Sequence, residues 1–454
     1  MTNKKPPGRD VFSSKIGVIA AAAGSAVGLG NIWKFPYITG VYGGAAFLFV
    51  YLGFILAIGL PVMLSEFIIG RNSRRNPFGA FKRIAPGTSW KLVGFLGVGA
   101  AFMILSFYGV VAGWSIDYVF KALTDAFAAK SPDELNGMFS SFIESPLKPV
   151  GFQLFFMLST AAIVIIGIAD GIEKYAKILM PVLIVIIIVL DIRAVSLKGA
   201  MEGLEFLFYP DFSKLTGEGV LSALGHAFFS LSLGMGTLIT YGSYIDNRNN
   251  LVSTAIQVTA ADTIIALLAG IAIFPAVFAF GIEPSSGPGL VFITLPNVFQ
   301  QMPGGFIFSI LFFLLLTVAA LTSSISILEV VVAYFSEELK MKRKAATILA
   351  TSLIAILGLI CSLSMGILKP FTLFGLNVFD LVDWISANML LPLGGLFISL
   401  FIGWYFKSKK VVAEVSKGGS ISSGFLAVFM FLVKFIAPLA IAIVFLHGLG
   451  LLSF

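Results

Sequence analysis

Apolar runs about as long as a bilayer is thick recur along this chain, with only short polar stretches between them. At about 20 residues per crossing, eleven segments qualify: 16–38, 42–70, 92–122, 150–169, 176–195, 219–244, 252–281, 304–335, 345–366, 376–405 and 424–451. The pattern predicts an all-α membrane protein with eleven transmembrane helices. Two of these runs carry a Gly-apolar-Gly triplet, Gly28-Leu29-Gly30 in the first and Gly234-Met235-Gly236 in the sixth. Glycine inside a helix costs about 1 kcal/mol relative to alanine. Backbone groups freed in hydrocarbon cost several kcal/mol each unless something polar meets them. The two triplets therefore predict discontinuous helices 1 and 6 and, between them, a binding site for ions and a small polar solute.

The breaks lie five crossings apart. Five is odd, so the second set of five segments enters the bilayer upside down relative to the first, giving a 5+5 inverted repeat. The expected organisation is a cytoplasmic N-terminal segment (1–15), a first repeat (16–195), an extracellular connection (196–218), a second repeat (219–405), and a cytoplasmic loop with a peripheral eleventh helix (406–454). The stretch from Glu283 to Gly305 is rich in Gly and Pro and reads either as a lid on the outer face or as a plain connector.

Composition narrows the class. Of 454 residues, 58% are hydrophobic and 12% charged, against roughly 25% charged in soluble domains. With the N-terminus cytoplasmic, 21 Lys and Arg residues fall on the inner side and seven on the outer. That asymmetry orients the chain in the cell membrane with the N-terminus inside and the C-terminus outside. The formal charge of +7 comes from short basic clusters between apolar runs rather than from one basic face, so nucleic acid is not an expected partner. The single cysteine, Cys361, forms no intramolecular disulfide. Residues 17–26 resemble a signal-peptide core, but the apolar stretch continues to Ile38.

The first break reads Gly24-Ser-Ala-Val-Gly-Leu-Gly-Asn31-Ile-Trp-Lys-Phe-Pro36 and the second Phe228-Phe-Ser-Leu-Ser-Leu-Gly-Met-Gly236-Thr-Leu-Ile-Thr-Tyr. Together with Leu321-Thr-Ser-Ser324, over nearly the whole chain, these stretches resemble the neurotransmitter:sodium symporters, above all the bacterial branch that carries amino acids. A sodium ion is a hard cation that takes oxygen ligands. Carbonyls of segment 1 and the hydroxyls of Thr322 and Ser323 in segment 8 are of that kind. The resemblance implies two sodium ions. One lies among Gly24, Val27, Ala319, Thr322 and Ser323, the other among Ala26, Asn31, Ser230 and Asp262. Segment 7 carries no strong motif, and a slip of one residue would put Ala261 in place of Asp262. An Asp there could also be a helix-end residue reaching water. Chloride-dependent relatives carry an amide at the aligned position, and His226 stands where they have a glutamine. A carboxylate at Asp262 thus implies that chloride is not needed.

The amides of Leu29 and Gly30, at the positive end of a half-helix, suit a carboxylate. Amine-carrying relatives have an aspartate where this chain has Gly28, so the resemblance implies a substrate that brings its own carboxylate, met by the Tyr108 hydroxyl. The other implied pocket residues are Ala26, Ile104, Phe229, Ser230, Ser232, Met235, Ser323 and Ile327. Such an apolar cavity fits neutral, hydrophobic L-amino acids, aliphatic and aromatic. The outer gate implied is Lys34 with Asp383 above Phe229. The inner gate implied is Arg9 with Glu337, supported by Ser243 and Tyr244, and Glu66 accepts from amides freed near the breaks.

The expected activity is sodium-coupled symport by alternating access, performed by a single chain. Proton coupling through His226 or Asp262 on the same scaffold, or a non-transporting amino-acid sensor, are the rival readings. No Gly-x-x-x-x-Gly-Lys-Ser/Thr loop occurs, and with two histidines and no His-Glu-x-x-His motif the chain does not read as an enzyme.

Overall fold

The computed structural model describes residues 11–282, 289–419 and 422–452. All described regular elements are helical, and no β-strand occurs among the described residues. In chain order the helices are α1 (Lys15–Ala26), α2 (Gly30–Val41), α3 (Ala45–Ser73), α4 (Pro77–Ile84), α5 (Lys91–Leu123), α6 (Pro132–Glu144), α7 (Lys148–Val164), α8 (Ile168–Val195) and α9 (Ala200–Phe208). There follow α10 (Gly217–Ser230), α11 (Thr237–Tyr244), α12 (Leu251–Ala279), α13 (290–301), α14 (Gly305–Glu338), α15 (Arg343–Leu363), α16 (Val378–Tyr405), α17 (Ser408–Val415) and α18 (Ser423–Gly448). Among the described residues eight helices are each long and apolar enough to cross a membrane, or up to ten if two bent pairs, α1 with α2 and α6 with α7, are single spans.

The two longest helices, α5 and α14, pack along each other and form the centre, flanked by α7 and α15. The half-helix α1 lies against α14, α12 and α8, while α11 lies against α3. Inward faces close-pack apolar side chains, and α8 turns Ile178, Val182, Val185, Ile188 and Ile192 outward. That exposed stripe at helical spacing is a surface for lipid.

Three expected boundaries move. Segment 4 ends at Val164 rather than 169, and α8 begins at Ile168 rather than 176, because Gly167 at φ +121° turns the chain. The first turns of α8 contain Asp170, Glu173, Lys174 and Lys177, whose charges hide the helix from a hydropathy reading. The Gly- and Pro-rich stretch after Glu283 is helical over Leu290–Thr294 and Leu295–Gln301, with Pro296 just after the wider turn of the first part, where the regular ladder is already interrupted. Residues 283–288 and Arg9 lie outside the described residues.

Candidate substrate and sodium site

Helix α1 stops at Ala26 and α2 starts at Gly30, at 47° to it. The carbonyls left over at the end of α1 are met from other elements. Ser25 O accepts hydroxyls from both Ser323 (3.0 Å) and Ser232 (2.9 Å), and Val27 O accepts Thr322 Oγ1 at 3.4 Å. Thr322 also bonds back to Ala319 O at 2.9 Å. Gly24 lies against the same threonine, since a Cβ there would be 3.4 Å from Thr322 Cβ. Thr322 thus brings Val27 O and Ala319 O together with Gly24 alongside, while the neighbouring Ser323 reaches Ser25 O.

Just beyond the break lies a second polar cluster. Asn31 Nδ2 donates to Asp262 Oδ1 (2.7 Å) and to its carbonyl (3.1 Å), and lies 3.3 Å from Ser230 Oγ. Ser230 Oγ donates to both Asp262 oxygens at 2.9 and 3.1 Å, and Tyr51 Oη donates to Ser230 at 3.3 Å. Asp262 is fully buried in the middle of α12, so it reaches this cluster rather than water, while Ala261 is only half-buried. The carboxylate and the hydroxyl bring oxygens to this cluster, and the amide faces them with its Nδ2.

The Leu29 amide donates to Tyr108 Oη at 3.1 Å, and the Gly28 amide to Asn31 Oδ1 at 3.1 Å. A Cβ on Gly28 would stand 2.6 Å from Tyr108 Oη and 3.0 Å from Ser323 Cβ, so only glycine lets Tyr108 and Ser323 approach the backbone this closely. Ala26, Ile104, Ser232, Met235 and Ile327 are buried. Across from Gly30 lies the Phe229 ring, 3.3 Å from where a Cβ would be, and Lys34 Nζ is 4.7 Å from that ring's centroid.

The second break runs from Leu231 to Gly236, with Ser232, Gly234 and Gly236 all at positive φ. The freed Gly234 amide donates to Glu66 Oε1 at 2.7 Å, a carboxylate carried on α3 to a donor that hydrocarbon would leave unmet. Lys34, Asp383, His226 and Phe229 line one cavity of about 250 Å³ on the side away from residue 11. On the opposite side Phe12 seats edge-on against Tyr241 and Tyr244, with ring centroids 5.5 and 6.1 Å away.

The residues expected at the gates divide between two places. Lys34 and Asp383 share the cavity, with Lys34 over Phe229. Glu337 accepts from the Asn76 amide and side chain, both at 3.1 Å, and is 4.0 Å from Arg75. The carbonyl of Ser243 accepts from Arg74 at 3.4 Å. Tyr244 donates to Glu329 at 2.7 Å, and Glu329 is held by Arg343 at 2.6 and 3.1 Å. Arg343 also donates to Val164 O at 2.7 and 3.0 Å. Sequence reading missed this tie between α11, α14, α15 and the end of α7. The signal was available: Glu329 is a carboxylate within an apolar segment, which is a functional candidate by default.

Residues 9–136 and 142–452 match the sequence profile of the Sodium:neurotransmitter symporter family. The chain belongs to this family of sodium-dependent membrane transporters. It is 42% identical over 454 residues, covering all of both chains, to a sodium-dependent transporter of Bacillus subtilis, and 39% identical, over 99% of each chain, to one of Haemophilus influenzae. Among solved structures, the crystal structure of MhsT in complex with L-phenylalanine superposes with a TM-score of 0.90, at 49% identity, covering 97% of this chain and 100% of MhsT. Like its relatives, this symporter-family member is a transporter and not an enzyme.

Proposed function

We propose that the protein is a sodium-coupled symporter of neutral, hydrophobic L-amino acids that works by alternating access and does not need chloride. The observation that carries the reading is the pairing of the Leu29 amide with the Tyr108 hydroxyl, which approaches the break closely because Gly28 has no side chain. A carboxylate entering there would be met by both groups at the positive end of α2. An amine without a carboxylate would leave both without an acid partner. Burial of Ile104, Met235 and Ile327 favours an apolar side chain, and L-phenylalanine in MhsT is of that class.

Two sodium ions fit the two oxygen sets. Gly24, Val27, Ala319, Thr322 and Ser323 would hold one ion. Ala26, Asn31, Ser230 and Asp262 would hold the other, with Asp262 supplying the charge that chloride supplies elsewhere. Bound sodium would stabilise the arrangement in which the α1 carbonyls face α14, and substrate would complete it. Lys34, Asp383 and Phe229 would then close the outer side, while Arg9, Glu337, Ser243 and Tyr244 would open the inner one. In the chain-level reading, eleven crossings in the cell membrane comprise inverted repeats 16–195 and 219–405, with the N-terminus inside, the C-terminus outside, and one chain sufficient for transport.

The test is uptake of labelled leucine, phenylalanine and tryptophan into proteoliposomes under imposed sodium or proton gradients, with and without chloride. Concentrative uptake driven by sodium, unchanged by replacing chloride with gluconate, is expected. Uptake driven by a proton gradient alone would replace this reading with proton coupling, and binding without accumulation would replace it with a sensor.

A further inference from the structure

Glu173 is a carboxylate buried to 1% exposure in the first turns of α8. Its Oε2 accepts the Ser13 amide at 2.6 Å, and its Oε1 accepts the hydroxyls of Ser13 (2.7 Å) and Ser14 (2.9 Å). Lys177, one turn along α8, reaches Oε1 at 2.5 Å. Three donors therefore come from the strap that precedes α1 and one from Glu173's own helix. The approach of α1 is close: a Cβ on Gly17 would fall on the Glu173 carboxylate. Capping does not explain the cluster, because the Ser14 hydroxyl itself accepts the Gly17 amide at 3.0 Å and so caps α1.

The same strap holds the opposite wall. Phe12, next to Ser13, packs on Tyr241 and Tyr244, and its amide donates to Tyr244 O at 3.3 Å. Residues 12–14 thus tie α8 to α11 across the end of α1, and α1 carries the Gly24 and Val27 backbone of the first oxygen set. Moving the near end of α1 away from α8 must break all three Ser13 and Ser14 bonds together and uncover a carboxylate that was shielded from water.

Resting on the alternating-access reading above, we propose that Glu173 is a further gate-positioning residue: a latch that fixes the N-terminal strap over Tyr241 while that side is closed and releases it when that side opens. Release exchanges the strap's donors for water, so both states of the carboxylate are satisfied and only the intermediate is costly. Such a two-sided arrangement is what a switch between discrete states requires.

The test uses the full-length Cys361→Ala, Tyr241→Cys chain in lipid nanodiscs, where a charged thiol reagent reaches both faces. With the strap docked, Cys at 241 is covered by Phe12. The latch predicts labelling at least fivefold faster after Glu173→Ala and after Ser13→Ala with Ser14→Ala. Glu173→Gln, which keeps the side-chain shape and an acceptor toward Ser13, should restore at least half of the protection, while the serine pair, which leaves Glu173 in place, separates the hydrogen bonds from its packing. Ser13 is exposed, so the serine pair remains informative if Glu173→Ala fails to fold. Labelling at the parent rate in the serine pair overturns the latch. Labelling is read without substrate and uptake separately. Faster labelling in a chain that shows no sodium-driven uptake would uphold the latch and remove the transport reading alone.

Discussion

The Tyr108 hydroxyl accepts the Leu29 amide at 3.1 Å, an approach possible only because residue 28 has no side chain. If this pair receives a substrate carboxylate, Tyr108→Phe removes one hydrogen bond to a charged group, worth about 1.5–3 kcal/mol, or roughly 10- to 150-fold in affinity. Competition binding of labelled amino acid in saturating sodium should show that loss with the protein still folded. An unchanged affinity would remove Tyr108 from the site.

Gly28→Ala tests the same close approach from the other side. The new Cβ would sit 2.6 Å from Tyr108 Oη, closer than any relaxed contact, so either the tyrosine or the backbone shifts. Amino-acid affinity should fall at least about tenfold, one lost hydrogen bond's worth, while sodium affinity measured without substrate changes less. Equal losses in both would mean that the substitution deforms the whole break.

Asp262→Asn removes the charge that faces Asn31 and Ser230 while keeping the shape. The variant should become stimulated by chloride or lose sodium affinity, read from sodium titrations of uptake in chloride and in gluconate. Unchanged behaviour in both media would sink the proposed charge-balancing role.

The two breaks and the hydroxyl-bearing Thr322 and Ser323 were legible because each is a local anomaly: a glycine pair or a polar pair inside an apolar run. Glu66 was legible for the same reason, and its bond to Gly234 crosses 168 residues of sequence. Glu329 was an anomaly of the same kind, but its partners were not legible, because nothing near Tyr244 or Arg343 announces a carboxylate 85 or 14 residues away. The start of α8 was missed for a related reason. Glu173 and Lys177 depress its hydropathy, and their cost is offset by each other and by Ser13 and Ser14, which lie 160 residues earlier. Window-based readings see the charge and not the partner.

Thr322→Ala separates the two oxygen sets. Thr322 Oγ1 reaches Val27 O and Ala319 O at 3.4 and 2.9 Å, so its removal subtracts one oxygen from the first set and leaves Asp262, Asn31 and Ser230 intact. A loss near 1.4 kcal/mol is about tenfold in affinity. The half-saturating sodium concentration for uptake should rise by about that factor, with the chloride response unchanged. Acquired chloride dependence in this variant would mean that the two sets are one site.

Glu414 on α17 ties the C-terminal end of α3 to the connection before α18. Its Oε2 accepts Arg71 Nε at 3.0 Å, its backbone carbonyl accepts a further guanidinium hydrogen, and its Oε1 accepts Asn72 (3.1 Å) and Lys417 (2.6 Å). Arg71 in turn donates to Asn249 O at 2.6 Å. Burial pushes the Glu414 carboxyl up, but the hydrogen bonds from Lys417, Asn72 and Arg71, with the Arg71 charge, outweigh it and hold the group below its ordinary value of 4.5. A group depressed in the folded state contributes stability that is present above its unfolded value and lost as pH falls through the folded one. The melting temperature in detergent should therefore be insensitive to Glu414 between pH 8 and 6 and should fall below pH 4.5. Glu414→Gln leaves Arg71 buried without its counter-charge, a loss of about 3–5 kcal/mol for a fully buried pair. The variant should melt well below the parent at pH 7, and the difference should narrow as the pH drops toward 3. A constant difference across that range would show that the contact acts through packing and not through charge.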